Sequence, residues 1–249
     1  MFSKKFVQGT VIENKHWTKR LYSLKVDAKI KNFLPGQFGR LGLEIDGEEV
    51  ARPYSFVNAP SEAHLEFYSI VVPDGLLSLR LYQMQPGDKV WVASSPAGFF
   101  TMDEVPAGRE LWMLSTGTAL GPFLSILKTD TPWQRYAKIV LVHAVRTEEE
   151  LAYKETIELF KQRSPEQFTM VPFVSREQTQ YALSGRIPAA IENGNLEMRA
   201  NTALTAESSQ VMICGNPDMV NDTTEVLKAN GFKKNRRREP GNITTENYW

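Results

Sequence analysis

A short polar run, Arg52-Pro53-Tyr54-Ser55, carries the side chains that are best suited to hold a flat, anionic ligand. The guanidinium of Arg52 is a planar fork of donors that matches a phosphate group. Tyr54 offers a ring for stacking, and the hydroxyl of Ser55 can hydrogen-bond a ring nitrogen. The same residues also suit an ordinary surface strand, so this run alone leaves both interpretations open.

Two glycine-containing turns are candidates for binding phosphate groups. In the first, Asp74-Gly75 precedes a short predicted helix, and in the second, the run TGTALGP over 116–122 follows an apolar strand. We expect the second helix to open at Gly121-Pro122, because proline suits the first turn of a helix. The first N–H groups of a helix have no partner within it and can therefore bind anions. Each turn is also common in proteins that bind no such ligand.

Three arginines follow predicted strands in the second half of the chain: Arg146 after LVHAV, Arg176 after VPFVS, and Arg186 in SGR. The carboxyl ends of parallel strands are where nucleotides bind. An NAD site usually places an acidic residue on the ribose, whereas a 2′-phosphate needs cations. Each arginine alone also suits a solvated surface, but three at strand ends are less readily explained in that way.

The composition excludes several other kinds of site. The single cysteine, Cys214, excludes an intramolecular disulfide and a four-cysteine iron–sulfur cluster within the chain. The three histidines (His16, His64 and His143) lie far apart, so we expect no metal site. No apolar run approaches the ~20 residues of a membrane span, and the N-terminus lacks a signal peptide's apolar stretch. We therefore expect a cytoplasmic protein that does not enter a membrane.

The charges balance but are unevenly distributed. There are 29 basic and 29 acidic residues, and basic residues are concentrated in the first 31 positions and in the run KKNRRR over 233–238. Local fields of this kind can steer an acidic partner, although a solvated surface is an equally good explanation. We expect no nucleic-acid binding, because no recognition fold accompanies the basic run.

The first hundred residues are predicted to form an antiparallel β-barrel, because short alternating runs recur between turn signals. Asp46-Gly47 lies between two of these runs and favours a two-residue hairpin turn, since both central positions need a positive φ. One helix is expected near 77–83. The predicted strands are 7–13, 21–26, 37–45, 49–57, 65–72 and 89–93.

From about residue 102 the pattern changes to short apolar runs without alternation, each followed by a helical stretch. This order predicts an α/β domain with a parallel sheet. The chain is therefore predicted to have two domains, 1–102 and 103–249. The predicted strands of the second are 111–115, 139–144, 169–174 and 211–214, and the predicted helices are 122–128, 148–162, 187–193 and 218–229.

The motifs occur in the order that is typical of one family. RPYS resembles the RxYS flavin motif of the ferredoxin–NADP⁺ reductase superfamily, TGTALGP resembles its TGTxxGP segment, and Cys214-Gly215-Asn216-Pro217 resembles its CGNP element. The chain closely resembles bacterial flavodoxin/ferredoxin–NADP⁺ reductases over its whole length, including the aromatic end Tyr248-Trp249.

The resemblance implies a tightly but non-covalently bound FAD on 1–102 and an NADPH site on 103–249, with an aromatic C-terminal tail that returns to the flavin. It implies catalytic roles for Tyr54 and Ser55 beside the flavin and for Cys214 at the nicotinamide. The implied FAD contacts are Arg52, Pro53, Tyr54, Ser55, Tyr68, Leu76, Leu77, Ser78, Thr118, Thr245, Glu246, Asn247, Tyr248 and Trp249. The implied NADP contacts are Thr116, Gly117, Arg146, Ser175, Arg176, Arg186, Cys214, Gly215, Asn216 and Pro217.

The function that the resemblance implies is electron transfer between NADPH and a small one-electron carrier, an acidic ferredoxin or flavodoxin, by a monomeric enzyme. A first alternative is an NAD(P)H:flavin reductase, which shares the fold but uses flavin as a dissociable substrate. A second alternative is a non-catalytic flavin-bound redox sensor, which would not need the paired arginines of an NADP site. The segment Gly75–Ser78 and the aromatic tail favour a retained FAD over the first alternative.

Overall fold

The computed structural model describes residues 2–236 and 238–248. The chain divides into two compact units, one formed by 1–101 with 121–128 and the other by 102–120 with 129–249. Residues 121–128 follow the predicted domain boundary in the chain, yet they group with the first unit. Among the described residues, no helix is both long enough and apolar enough to cross a membrane.

The first unit contains a six-stranded antiparallel sheet with the strand order β4-β3-β6-β1-β2-β5. The edge strands β4 and β5 meet through a single bridge, Phe56↔Phe67, and through a bond of 2.8 Å from the Val57 N–H to the Glu66 carbonyl. The predicted closed barrel is therefore joined at this seam by a short contact instead of a full ladder. The strands are β1 (Phe6–His16), β2 (Leu21–Asp27), β3 (Phe38–Ile45), β4 (Glu48–Ser55), β5 (Leu65–Ile70) and β6 (Lys89–Ala93).

The hairpin between β3 and β4 turns at Asp46-Gly47, as predicted. Both residues have positive φ, 52° and 82°, which matches the twist of the flanking strands. The turn sets the register of the two strands, in which Gly39 lies opposite Tyr54. The hairpin therefore fixes where the RPYS run lies at the end of β4.

Two helices belong to the first unit. The first is α1 (Leu76–Gln83), and the second is α2 (Leu120–Leu127), whose residues from Gly121 onward group with this unit. The Ser125 hydroxyl of α2 donates to the Asn58 carbonyl at 2.7 Å, and the ring centroids of Phe123 and Phe100 lie 5.4 Å apart. These contacts to Asn58 and Phe100 explain why this stretch groups with the first unit.

The second unit is built on a five-stranded parallel sheet with the order β11-β10-β7-β8-β9. Its inner strand β10 is buried along its whole length, as expected for a parallel strand with both faces covered. The strands are β7 (Glu110–Thr116), β8 (Lys138–Val145), β9 (Phe168–Val174), β10 (Ser209–Gly215) and β11 (Ile243–Asn247). The helices are α3 (Thr131–Arg135), α4 (Lys154–Arg163), α5 (Ile187–Glu192), α6 (Asn195–Ala200) and α7 (Pro217–Ala229).

Three predictions for this half of the chain were wrong in detail. The sequence did not predict β11, because the run ITTEN has one apolar residue and no clear alternation. Helix α4 begins at Lys154, not at 148, because Tyr153 has a positive φ of 57° and a separate 3₁₀ turn occupies 148–150. Helix α2 begins at Leu120 after a 3₁₀ turn, so Gly121 and Pro122 lie inside the helix.

Candidate functional site

The RPYS run lies at the end of β4 in the first unit. Arg52 and Pro53 are exposed, Tyr54 is half-buried, and Ser55 is buried. Burial raises the pKa of Tyr54 to about 12, so the ring carries a protonated hydroxyl at neutral pH, although the charge of Arg52 opposes this shift. The Arg52 guanidinium donates one bond of 2.9 Å to the Ala51 carbonyl and is otherwise exposed to solvent. This strand end can offer one ligand both a hydrogen-bond donor for a phosphate group and an aromatic ring.

The turn before α1 is held in place by the Ser78 side chain. Its hydroxyl accepts from the Val72 N–H at 3.0 Å and donates to the Gly75 carbonyl at 2.9 Å. Ser78 is buried, so its hydroxyl stabilises the turn. The bond of 3.3 Å from the Leu79 N–H to the Gly75 carbonyl is the first of the helix. The N–H groups of residues 76–78 precede it, and N–H groups at the start of a helix can bind an anion, so the anion site at this turn stays a prediction.

In the second unit, the TGT and CGNP segments contact each other. The Thr116 hydroxyl at the end of β7 accepts from the Asn216 N–H at 3.0 Å. Gly215 has a φ of 152°, and a β-carbon there would collide with the Thr116 hydroxyl. The Asn216 side chain in turn accepts from the Asp218 N–H at 3.0 Å and begins α7. Because β7 and β10 are neighbouring parallel strands, the two predicted NADP segments lie side by side at the carboxyl ends of these strands.

Cys214 lies at the end of β10, directly opposite Glu246 of β11. The thiol is fully buried, and burial followed by the nearby Glu246 charge raises the pKa of Cys214 above its usual value. The thiol therefore stays protonated and is not an activated nucleophile. Burial also raises the pKa of Glu246 to about 7. The sequence suggested a flavin contact for Glu246 but gave no sign that a half-buried carboxyl lies opposite the cysteine.

The three arginines lie in the second unit, and all three are exposed. Arg146 and Arg176 follow the adjacent strands β8 and β9, and the Arg176 N–H donates to the Arg146 carbonyl at 2.9 Å. Ser175 is also exposed, and its hydroxyl donates to the Val145 carbonyl at 3.2 Å. Arg186 precedes α5. The structure therefore joins the first two arginines at neighbouring strand ends, where a phosphate could meet both.

Acidic residues surround part of this arginine region. The carboxylate of Glu177, the residue that follows Arg176 in the sequence, accepts from the Glu148 N–H at 2.6 Å. This bond holds the Glu177 side chain in place. The Glu148 carboxylate accepts from the Tyr181 hydroxyl at 2.8 Å. Partial burial and these two carboxylates raise the pKa of Tyr181 to about 12. The acids lower the positive potential here without pairing directly with the described arginine side chains.

The remaining predicted residues are distributed as follows. Tyr68 is buried in β5, and Thr118 is buried in the 3₁₀ turn after β7. Thr245 and Asn247 lie in β11 instead of in a free tail, and the Tyr248 N–H donates to the Gly215 carbonyl at 3.0 Å. Trp249 lies outside the described residues.

One further residue near the TGT turn was not predicted. His143 of β8 is fully buried, and its Nε2 lies 3.0 Å from the Gly117 carbonyl. Burial lowers the pKa of His143 to about 4, so the ring is neutral at physiological pH. The sequence gave no signal for this contact, because the two residues are 26 positions apart and meet only when β7 and β8 pair.

The two units fit the two nucleotides in different ways. The first unit offers a ring, a guanidinium and the N–H groups at the start of α1, which suit a flavin with a diphosphate. In the second unit, Gly117 and Gly215 have positive φ, and exposed arginines lie near the carboxyl ends of its strands. These features suit a pyridine nucleotide with a 2′-phosphate. Two such units in one chain are typical of the oxidoreductases that depend on a flavin and a pyridine nucleotide.

Comparisons with known proteins agree with this class of oxidoreductase and identify a family within it. Residues 10–101 match the oxidoreductase FAD-binding domain family, and residues 113–225 match the oxidoreductase NAD-binding domain family. The chain is 48% identical to the flavodoxin/ferredoxin–NADP reductase of Escherichia coli strain K12, over 98% of this chain and 99% of that protein. It is 37% identical to the ferredoxin–NADP reductase of Pseudomonas aeruginosa, over 95% of each chain.

Among solved structures, a ferredoxin NADP⁺ reductase from Neisseria gonorrhoeae with bound FAD and NADP matches with a TM-score of 0.94 and 34% identity, over 99% of this chain and 100% of that one. The chain belongs to the flavodoxin/ferredoxin–NADP reductase family.

Proposed function

We propose that this chain transfers electrons between NADPH and a small one-electron carrier, a ferredoxin or flavodoxin, through a bound FAD. The observation that carries the proposal is the pair of neighbouring strand ends with exposed arginines, Arg146 and Arg176, in a chain whose other unit has a flavin-type site. The names of the full-length relatives support the choice of carrier.

FAD is assigned to the first unit. The Tyr54 ring stacks on the flavin, Ser55 hydrogen-bonds its ring edge, and Arg52 binds the diphosphate together with the N–H groups of residues 76–78. The half-buried ring and the exposed guanidinium on one strand end support these roles. The other proposed FAD contacts are Pro53, Tyr68, Thr118, Thr245, Glu246, Asn247, Tyr248 and Trp249.

NADPH is assigned to the second unit. Arg176 and Arg186, with Arg146 and Ser175, recognise the 2′-phosphate. The TGT and CGNP segments hold the diphosphate and nicotinamide halves, and the contact between Thr116 and Asn216 supports their acting together. The other proposed contacts are Gly117, Cys214, Gly215 and Pro217.

The bound flavin supplies the conversion between two-electron and one-electron transfer, and the protein orients it. The residues of this chain bind and align the two nucleotides. Cys214 acts as a neutral packing group, because its raised pKa keeps the thiol protonated. Direct hydride transfer needs no general base, and the neutral, buried His143 is not available as one.

The carrier is assigned to a basic loop formed by residues 233–238. Its Lys233, Lys234, Arg236 and Arg238 are exposed, while Arg237 lies outside the described residues. The Asn235 side chain donates to the Glu104 carbonyl at 2.6 Å and anchors the loop. A preformed cluster of cations suits an acidic carrier, because opposite charges steer the encounter.

The purified protein is expected to be yellow, with about one FAD per chain after gel filtration, and to reduce ferredoxin or flavodoxin with NADPH. A colourless protein that turns over added flavin would support a flavin reductase instead. Bound FAD without turnover of NADPH would support a redox sensor. Gel filtration also tests the proposed monomer, and cell fractionation tests the proposed cytoplasmic location.

The role of the basic loop is tested with the double variant Arg236→Glu and Arg238→Glu. Carrier-dependent cytochrome reduction should slow several-fold at low salt, and the difference from wild type should shrink as salt rises, because charges are screened over about 8–10 Å near physiological salt. NADPH-dependent reduction of a small neutral quinone is the control and should not change. Equal carrier rates for both proteins across the salt series would place the docking surface elsewhere.

A further inference from the structure

The buried imidazole of His143 contacts the turn at Gly117, which belongs to the proposed NADPH site. His143 of β8 is fully buried, and its Nε2 lies 3.0 Å from the carbonyl of Gly117. No described residue hydrogen-bonds its Nδ1. Since Nδ1 has no partner and Nε2 faces an oxygen, the proton of the neutral ring belongs on Nε2. His143 therefore donates to the Gly117 carbonyl.

The Gly117 carbonyl is held by two donors at once. It accepts from His143 and from the backbone N–H of Leu120, which closes the 3₁₀ turn before α2. In a trans peptide the carbonyl and the following N–H point in opposite directions. Fixing the carbonyl of Gly117 toward the buried ring therefore directs the N–H of Thr118 away from it.

The space beside the α-carbon of Gly117 is open. Gly117 has a positive φ of 54°, and a β-carbon built there would meet no described atom within 4 Å. A ligand can therefore approach the backbone closely at this residue, and this conformation favours glycine. The peptide unit between Gly117 and Thr118 thus has a carbonyl that is anchored to His143, and there is room for a ligand beside Gly117.

We propose that His143 is a positioning residue that presents the Gly117–Thr118 peptide to the diphosphate–nicotinamide half of NADPH. This inference rests on the proposed NADPH site. A purely space-filling role would not need the bond to Gly117, because β8 is otherwise apolar around this position (KIVLVHAV) and a leucine would pack there. The buried ring supplies one donor that an apolar side chain at this position would lack.

The test compares His143→Leu, which removes the donor, with His143→Gln, whose Nε2 can reach the same carbonyl. Both are measured as FAD-bound enzymes reducing a quinone. The leucine variant should raise the KM for NADPH about threefold to tenfold, as expected for one lost hydrogen bond. The glutamine variant should remain within about twofold of wild type. If the leucine variant does not fold with FAD, His143→Met replaces it as the donor-free variant.

A second readout separates positioning from general damage. The fragment adenosine 2′-monophosphate carries the 2′-phosphate but lacks both phosphates of the diphosphate and the nicotinamide, so it probes only the 2′-phosphate end of the proposed site. Its inhibition constant should be unchanged in both variants. Parallel losses for the fragment and for NADPH would show that His143 only supports the fold of this unit and would overturn the proposal.

Two further outcomes would also overturn it: an unchanged KM in the donor-free variant, or failure of His143→Gln to restore the wild-type KM. Failure of the proposed function is distinguishable, because wild-type enzyme would then not turn over NADPH at all. Normal wild-type turnover with an unaffected donor-free variant overturns the role of His143 alone.

Discussion

Replacing both Arg176 and Arg186 with alanine should convert the enzyme from a preference for NADPH toward indifference between NADPH and NADH. Both side chains are exposed, and they follow β9 and precede α5. Hydrogen bonds to a charged group contribute about 1.5–3 kcal/mol each. Because solvent screens exposed groups, we take the lower end, which gives about 3 kcal/mol for the pair and a loss on the order of a hundredfold in kcat/KM for NADPH.

The assay is steady-state reduction of a neutral quinone with each nucleotide, in low salt and near physiological salt. The kcat/KM for NADH should change by less than about twofold, because NADH has no 2′-phosphate to lose. Lys161→Ala, which removes an exposed cation from α4 in the same unit, is the matched control and should leave both nucleotides unaffected. An equal loss for NADPH and NADH would refute the reasoning and assign these arginines to folding or to the shared ADP moiety. A loss below about threefold for NADPH would place the 2′-phosphate elsewhere.

Three further predictions concern single residues. Glu177→Gln keeps an acceptor for the Glu148 N–H but removes a charge beside Arg176, so the KM for NADPH should fall about twofold to fivefold in steady-state assays, and an unchanged KM would contradict this. Tyr54→Ala should weaken FAD binding by at least roughly 0.5–1.5 kcal/mol in titrations of the apoprotein, while Tyr54→Phe should not, because the ring does the stacking. Glu246→Gln should stabilise the protein at high pH. The pKa of Glu246 is raised to about 7 by burial, so its stabilising contribution is present below the ordinary carboxyl pKa and is lost as pH rises through 7. Thermal unfolding from pH 4 to 9 should therefore show the variant gaining on wild type up to about pH 7 and keeping a constant advantage above it, and parallel curves throughout would contradict the raised pKa of this carboxyl.

Much of the fold could be predicted because its signals are local. The Asp46-Gly47 turn specifies its own backbone geometry, and buried runs such as β10 need no partner to be recognised. The missed strand β11 depends on a non-local partner, since its polar residues form a strand only by pairing with β10. A sequence pattern with period two contains no information about that pairing.

The candidate site divides in the same way. Motif residues such as Arg52 and Tyr54 could be found from their types and spacing, whereas the residues that support the motifs could not. His143 meets Gly117 only through the register of β7 and β8, and Glu246 meets Cys214 only through the register of β10 and β11. The pKa values of these two groups follow from burial, which is a property of the folded chain.

The grouping of helix α2 with the first unit has a consequence for how the protein can be divided. The chain passes from one unit to the other after residues 101, 120 and 128, so no single cut separates two complete units. A fragment that ends at 101 would lack Phe123, Leu124 and Ile126, which are fully buried in the intact chain. A fragment that begins at 102 would expose the same side chains to water. Neither half is therefore expected to be an independent module, and swaps with related proteins should exchange α2 together with the first hundred residues. Limited proteolysis near 101 should leave a nicked but associated protein, because α2 keeps its contacts with Asn58 and Phe100 of the first unit.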